Sequence, residues 1–491
     1  MTTVDGRHTL DREAERLAYK PPEVRHDVQG DMETEERVEK AMHHFVKNFN
    51  TQTASYLDGC LHCGMCADAC HFHVRTDDPR YTPIWKLELF KQAYKREAGP
   101  FAFFYRLFGF KKKVTIDQLE EWQHLLYDSC TVCGRCSLVC PMGIDIAGLV
   151  SMARHGMFKA GLIPHELHEV AKRAAETGSP LGITPDKFED RIDWMADEHD
   201  VEIPVDVDQA DVLAVMSSIE IQKYPQSIAA TAKILNAAGE KWTFRLDGFE
   251  ATNFGMLSGN PDWQKEATMK IIDAAVKIGA KLVVLPECGH AYMALRWMGA
   301  NMLGKPLPFK VMHISEYISD ALDKGKFKVN KVSKSVTYHD PCQVSRRGGA
   351  TGAARNVLKH LGVDFREMEF GGDYNWCCGG GGGGHPLLVG DSGSGRADPG
   401  DDSQAVGEDA PDFGDLQRRA DQAAGPGIQV VAGQRPLVEL IQSLVRLEGQ
   451  RMCRERCSPT FVSAYRGKRA KRIRSRAKKP RRVPPKGKKA K

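Results

Sequence analysis

Two runs of cysteine share one spacing, and that spacing constrains the chain more than any other feature. Cys60, Cys63, Cys66 and Cys70 are arranged C-x2-C-x2-C-x3-C, and Cys130, Cys133, Cys136 and Cys140 repeat the arrangement, with Pro141 closing the second run. Three thiolates spaced by two residues can wrap three irons of one cubane, while the fourth reaches across to the other cluster. The spacing therefore predicts one [4Fe–4S] centre on Cys60, Cys63, Cys66 and Cys140. A second would sit on Cys130, Cys133, Cys136 and Cys70. Zinc sites usually bring two separated CxxC pairs rather than one dense run. His71 stands where the second run has Pro141. His71 and His73 are expected to be surface histidines beside a cluster rather than ligands.

The rest of the composition sets the surroundings. The chain has 491 residues and 14 cysteines, which suggests roughly three domains. Disulfides do not persist in a reducing compartment, so metal is the default use for that many thiols. No run of apolar residues is long enough to span a bilayer. The start, MTTVDGRHTLDREAERL, lacks the basic and then apolar pattern of a secretory signal. A cytoplasmic protein is expected. The net charge of +5 hides an uneven spread, because Arg466–Lys491 carries 15 of the 69 Lys and Arg residues and no acid. The remaining body is acidic, which argues against nucleic acid as a partner.

Along the chain, residues 1–50 are expected to form an N-terminal helical extension, with a helix near Glu33–Asn48. Residues 51–180 would form a ferredoxin-like domain holding both clusters. Its Phe101–Phe110 segment (FAFFYRLFGF) is expected to lie in that domain's core, in preference to an interfacial role. From Asp211 the pattern alternates strand and helix. DVLAVMSS, WTFRL, KLVVLP and FKVMHI read as strands of a first α/β unit at 205–330. KSVTYH and AARNVLKHLG read as the strand and helix of a second at 331–450. After Gly384 the periodicity weakens, and residues 451–491 form a basic tail expected to be disordered. The fold class is thus α+α/β: a helical two-cluster ferredoxin-like domain followed by two cysteine-rich α/β units.

A third cysteine set falls in the second unit. Cys342 lies in YHDPCQVSRRGG, and Cys377 and Cys378 lie in NWCCGGGGGG. Adjacent cysteines in a reducing compartment point to a shared metal centre, and Gly379–Gly384 leave room beside them for a cluster and a substrate. The glycine run has no Lys-Ser/Thr after it and so is not a phosphate loop. No nicotinamide or flavin fingerprint appears, so electrons must be exchanged with another subunit.

Twin ferredoxin runs followed by a CCG motif resemble the heterodisulfide-reductase catalytic subunit (HdrD-like) family, over residues 1 to about 384. LDGCLHCGMCADACHFH and PECGHAY are most similar to the K subunit of the sulfite-reductase-associated membrane complex (DsrK type). The resemblance implies a third, non-cubane [4Fe–4S] cluster on Cys342, Cys377 and Cys378, where disulfides are handled. Cys288, in PECGH, either completes this catalytic set or is a buried structural cysteine. His290 and His339 flank the set and are expected to pack rather than to move protons. The resemblance further implies a small thiol or trisulfide carrier protein (DsrC type) as substrate. It also implies a haem b-type membrane subunit as electron partner, with peripheral attachment to the inner membrane.

One departure matters. The family's motif ends in a CxxC that would fall near residue 413, and no cysteine stands there; Cys453 and Cys457 are spaced C-x3-C and lie farther on. The text after about Gly384 reads as out of frame, or else as a lineage-specific replacement; taken as genuine, it leaves the third cluster short of ligands. Two rival functions follow. One is the iron–sulfur subunit of a quinone-linked glycolate, lactate or glycerol-3-phosphate dehydrogenase, and the other a non-catalytic electron-transfer subunit.

Overall fold

The computed structural model describes residues 27–110, 112–285 and 288–377, together with the backbone of Ile428–Ala432. Cys378, Cys453, Cys457, the glycine run and the basic tail lie outside the described residues, as does the out-of-frame reading apart from that one strand.

The cysteine runs sit on a helical body built around aromatic packing. Helix Thr34–Lys47 buries Ala41 and Phe45, and Phe45 meets the rings of Phe90 and Trp122 edge-on at 5.5 and 5.6 Å. Burying a side chain of this size contributes about 1.5–3 kcal/mol. Phe90 comes from helix Pro83–Glu97, which Thr82 caps and whose first residue is proline, an arrangement that suits the unpaired amides of a helix start. Helix Ile146–Lys159 closes the body, and Gly156 lets it approach: a Cβ there would lie 2.2 Å from the Phe45 ring. The helix at 34–47 is therefore part of the same core as the cysteine runs, secured by Arg37, whose Nη1 donates to the Ala160 carbonyl at 2.9 Å.

Phe101–Phe110 does not join this core. Phe103 is 64% exposed and Phe110 72%; helix Ala102–Leu107 buries only Ala102. The expectation of a core segment is corrected for a physical reason: Phe45, Phe90 and Trp122 already fill the interior, and a helix this short has no second face to bury.

Two parallel sheets follow. The first has the order β2-β1-β3-β4, with β1 Val212–Ala214, β2 Trp242–Phe244, β3 Leu282–Leu285 and β4 Lys310–His313. Helices Gln226–Ala237, Pro261–Lys277 and Ile314–Asp323 cover it. Such sheets are buried on both faces, which explains the unbroken apolar Val212, Leu213 and Ala214. The second sheet has the order β6-β5-β7, with β5 Ser335–His339, β6 Asp364–Phe365 and β7 Ile428–Ala432. Helix Thr351–Leu361 crosses from β5 to β6. The α+α/β class expected from sequence is what the chain adopts. β7 lies in the stretch where the sequence shows only weak periodicity. No helix among the described residues is long and apolar enough to cross a membrane.

Candidate metal centres

The two cysteine runs fold alike. In each, a non-glycine residue with positive φ (His62 at 53°, Val132 at 52°) precedes a cysteine, and a left-handed glycine (Gly64, Gly134) follows it into a one-turn helix. Positive φ is uncommon for ordinary residues and a genuine outlier for a β-branched one, so these loops hold strain that the surrounding core must support. The result is a pair of thiol-lined cavities. One is lined by Cys60, Cys63, Cys66 and Cys140. The other is lined by Cys70, Cys130, Cys133 and Cys136. Each cavity draws three cysteines from one run and the fourth from the other.

The thiols are electrostatically crowded. Burial, aided by Cys60 and Cys140, pushes the Cys66 thiol up to about 11. Cys136 is raised strongly by burial and by Cys133, Cys130 and Cys70. Four converging sulfurs in an apolar cavity are stable as thiolates only with a compensating positive core. This donor set fits an iron–sulfur cluster.

Basic residues underlie the second cavity. Lys86 is 2% exposed, and its Nζ lies 3.7 Å from Cys70 Sγ while also donating to the Ser129 carbonyl. Arg154, fully buried, donates from Nη2 to the carbonyls of Cys130 at 2.7 Å and Leu126 at 2.8 Å. Sequence reasoning misses both. A lysine or arginine within a helical pattern reads as solvated, and only the fold turns these two inward.

The segment carrying Cys377 approaches the second cavity through Cys133. β5 ends at His339, and the chain turns through Asp340-Pro341-Cys342. Buried Asp340 accepts from Arg355 at 2.8 and 2.7 Å and from the Gly372 amide at 2.7 Å. That ties the segment carrying Cys377 back to the β5 end. Arg346 donates from Nε to the Cys133 carbonyl at 2.9 Å and from Nη1 to the Asp373 and Asn375 carbonyls at 2.6 and 3.0 Å. Gln343 Nε2 donates to the Val132 carbonyl at 2.9 Å. The Arg135 guanidinium lies 3.5 Å from the centre of the Trp376 ring.

Cys377 is thereby brought to the cysteine run at 130–140. An imidazole nitrogen of His71 and the sulfurs of Cys133 and Cys377 all lie within 4.8 Å of one another. Thr131 Oγ1 is 3.2 Å from Cys377 Sγ. Hydrogen bonds from Cys377 and His71 hold the Cys133 thiol well below its ordinary range, against the opposing effect of burial. Cys288 Sγ accepts from the Ala291 amide at 3.4 Å, and Gly289 packs on Gln343 closely enough that a Cβ there would sit 2.7 Å from the Gln343 Cβ. Cys288 therefore neighbours the Cys342 turn. Burial pushes His290 down to about 4, so its imidazole is neutral at pH 7. His339 Nε2 lies 3.0 Å from the Trp376 carbonyl.

Buried side-chain atoms left without a hydrogen-bond partner gather at this junction: His71 Nε2, His290 Nε2, Gln343 Oε1, Arg346 Nη2 and Arg347 Nε. Buried polar groups are nearly always satisfied, so such a gathering beside thiols marks a place built for a further polar or metallic group. Of the third cysteine set, the sulfur of Cys377 is the one brought to this junction among the described residues.

Comparison with known proteins agrees with this chemistry. Residues 59–145 match the 4Fe-4S dicluster domain family, and residues 336–385 match the cysteine-rich domain family. The chain is 30% identical over 343 residues to the D subunit of the dihydromethanophenazine:CoB–CoM heterodisulfide reductase of Methanosarcina barkeri, covering 68% of this chain and 80% of that protein. It is 26% identical over 373 residues to the Hdr-like menaquinol oxidoreductase iron-sulfur subunit 2 of Archaeoglobus fulgidus, covering 66% and 67%. It is also 25% identical over 358 residues to the EtfAB:quinone oxidoreductase of Syntrophomonas wolfei, covering 68% and 49%. No solved structure matches the chain. With its dicluster run, its cysteine-rich unit and this extent of similarity, the chain belongs to the HdrD-like heterodisulfide reductase family of iron–sulfur oxidoreductases.

Proposed function

We propose that this chain is the iron–sulfur catalytic subunit of a membrane-associated complex that reduces or forms a disulfide or trisulfide of a small sulfur-carrier protein. Cys60, Cys63, Cys66 and Cys140 hold one [4Fe–4S] cluster, and Cys130, Cys133, Cys136 and Cys70 hold a second. Cys342, Cys377 and Cys378, with Cys288 beside them, serve a third, non-cubane centre. When bound, these groups supply one-electron transfer. The observation that supports the reading is the approach of Cys377 to Cys133, a cysteine that lines the second cavity.

The chain's own residues have defined parts. Arg346 and Gln343 hold the two loops in register. Lys86 and Arg154 supply positive charge beneath the second cavity and so favour an added electron there. Neutral His290 and the unpaired N–H groups of Arg346 and Arg347 offer hydrogen bonds to an anionic sulfur. Cleaving one S–S bond consumes two electrons and two protons, and yields two thiols from a disulfide or a thiol and a hydropersulfide from a trisulfide; two further electrons and protons turn the hydropersulfide into a thiol and hydrogen sulfide. The carrier is of DsrC type, and a haem b-type membrane subunit exchanges the electrons at the cytoplasmic face of the inner membrane.

Similarity to an EtfAB:quinone oxidoreductase favours a second reading, an iron–sulfur subunit serving a quinone-linked dehydrogenase of glycolate, lactate or glycerol-3-phosphate. One experiment separates the two. Full-length protein is purified anaerobically, assayed for iron and acid-labile sulfide, reduced, and titrated with a carrier trisulfide while its paramagnetic signals are followed. About twelve irons and stoichiometric reoxidation by the trisulfide are expected. About eight irons with no reoxidation would leave a two-cluster relay and overturn the catalytic reading.

A further inference from the structure

We propose that His71 supplies an imidazole nitrogen to the metal centre at Cys377, giving that centre a mixed cysteine and histidine ligand set. The inference rests on the reading above, in which Cys377 serves a third centre and Cys133 belongs to the second cubane.

The two cysteine runs share their spacing and backbone turns, and they differ at the residue after the fourth cysteine. The second run has Pro141, which carries no side-chain donor; the first has His71. Cys70 lines the second cavity, so the next residue is carried to the same place. There His71 opens helix His71–Thr76, and its ring lies 4.2 Å from that of Phe72. The ring is therefore oriented by packing.

Its surroundings are those of a ligand. A His71 nitrogen, Cys133 Sγ and Cys377 Sγ lie within 4.8 Å of one another, a separation that one metal ion can span. With Cys133 committed to the second cubane, His71 and Cys377 remain to share another metal. His71 already hydrogen-bonds to Cys133, while its Nε2 is buried without a hydrogen-bond partner, which is costly unless something else accepts that nitrogen's lone pair or proton.

A neutral imidazole in place of a thiolate makes a cluster less negative and raises its reduction potential, as histidine ligation does in two-iron clusters. Thr131 Oγ1, 3.2 Å from Cys377 Sγ, acts in the same direction when it donates to that sulfur. The third centre would then be the more readily reduced end of the relay.

The test uses full-length protein purified anaerobically with 15N-histidine. Pulsed EPR is recorded on the oxidised third centre and on the reduced cubanes, for wild type, His71→Ala and His71→Cys. Nitrogen coupling on the oxidised third centre is expected, shifted by the isotope and lost in both variants while the cubane signals persist. His71→Cys should keep the iron content and lower the potential of the third centre. Absence of nitrogen coupling in wild type, its persistence in His71→Ala, or its appearance only on a reduced cubane would overturn the proposal and leave a third centre standing. Iron near eight per chain with no third signal would overturn both this proposal and the reading beneath it.

Discussion

Arg346 Nε donates to the backbone carbonyl of Cys133 at 2.9 Å, joining residues more than two hundred positions apart in the chain. The same guanidinium reaches the Asp373 and Asn375 carbonyls. One side chain thus fixes the spacing between the second thiol cavity and the segment bearing Cys377. Arg346→Ala should destabilise the protein by about 1.5–3 kcal/mol, since it removes several charge-assisted bonds to carbonyls that are in part buried. Arg346→Lys should recover only part of this, because an ammonium lacks the planar fork. Urea unfolding of the anaerobic protein reads the cost. Equal stability of Arg346→Ala and wild type would refute the role.

The grouping of cysteines across the two runs makes a distinct prediction. Cys140→Ala and Cys63→Ala should abolish the same reduced-cubane EPR signal, although they lie in different runs. Cys70→Ala should abolish the other. Each should lower the iron content by about four. Loss of the same signal in Cys140→Ala and Cys133→Ala would instead assign each cluster to a single run.

Lys86 places a buried ammonium 3.7 Å from Cys70 Sγ. Lys86→Met removes that charge while keeping most of the volume. The midpoint potential of the second cubane should fall by about 40–90 mV, equivalent to about 1–2 kcal/mol for a one-electron couple. The first cubane should not move. A redox titration followed by EPR reads both in one sample.

His155, inside helix Ile146–Lys159, is pushed down to about 4 by burial, with His44 and Lys159 adding to the effect and Asp262 opposing it. The unfolded chain takes up this proton near the ordinary histidine value and the folded chain does not. Stability should therefore be full above about pH 6.5 and fall as the pH drops toward 4, by about 2–3 kcal/mol from this group. His155→Gln should flatten the slope of unfolding free energy against pH in that window. An unchanged slope would show that His155 is not the residue responsible.

The cysteine spacing is legible because cluster chemistry demands it, and the alternation of apolar strands with amphipathic helices is legible because burial demands that. What surrounds the sites is less so. Lys86, Arg154 and Arg346 are basic residues that sequence alone reads as solvated; only packing turns them toward carbonyls and sulfurs. Val132 with positive φ runs against its own β-branched preference and is imposed by the loop. Phe101–Phe110 shows the opposite error, since its aromatic content suggests a core that other rings already occupy. His71 reads as a surface residue from sequence because its partner, Cys377, is some three hundred residues away and only the fold brings the two together.

The pairing of β5 with β7 has a consequence in time. Ser335 bonds in register with Ile428, so one flank of β5 waits for chain made ~90 residues later. At ribosomal speed that delay is roughly 5–20 s. Throughout it, the strand leading into the Cys342 turn presents a row of open amides and carbonyls, the kind of surface on which nascent chains stick to one another. Slowing synthesis between residues 340 and 430 should therefore lower the yield of soluble protein, and raising the level of chaperones that cover nascent strands should restore it.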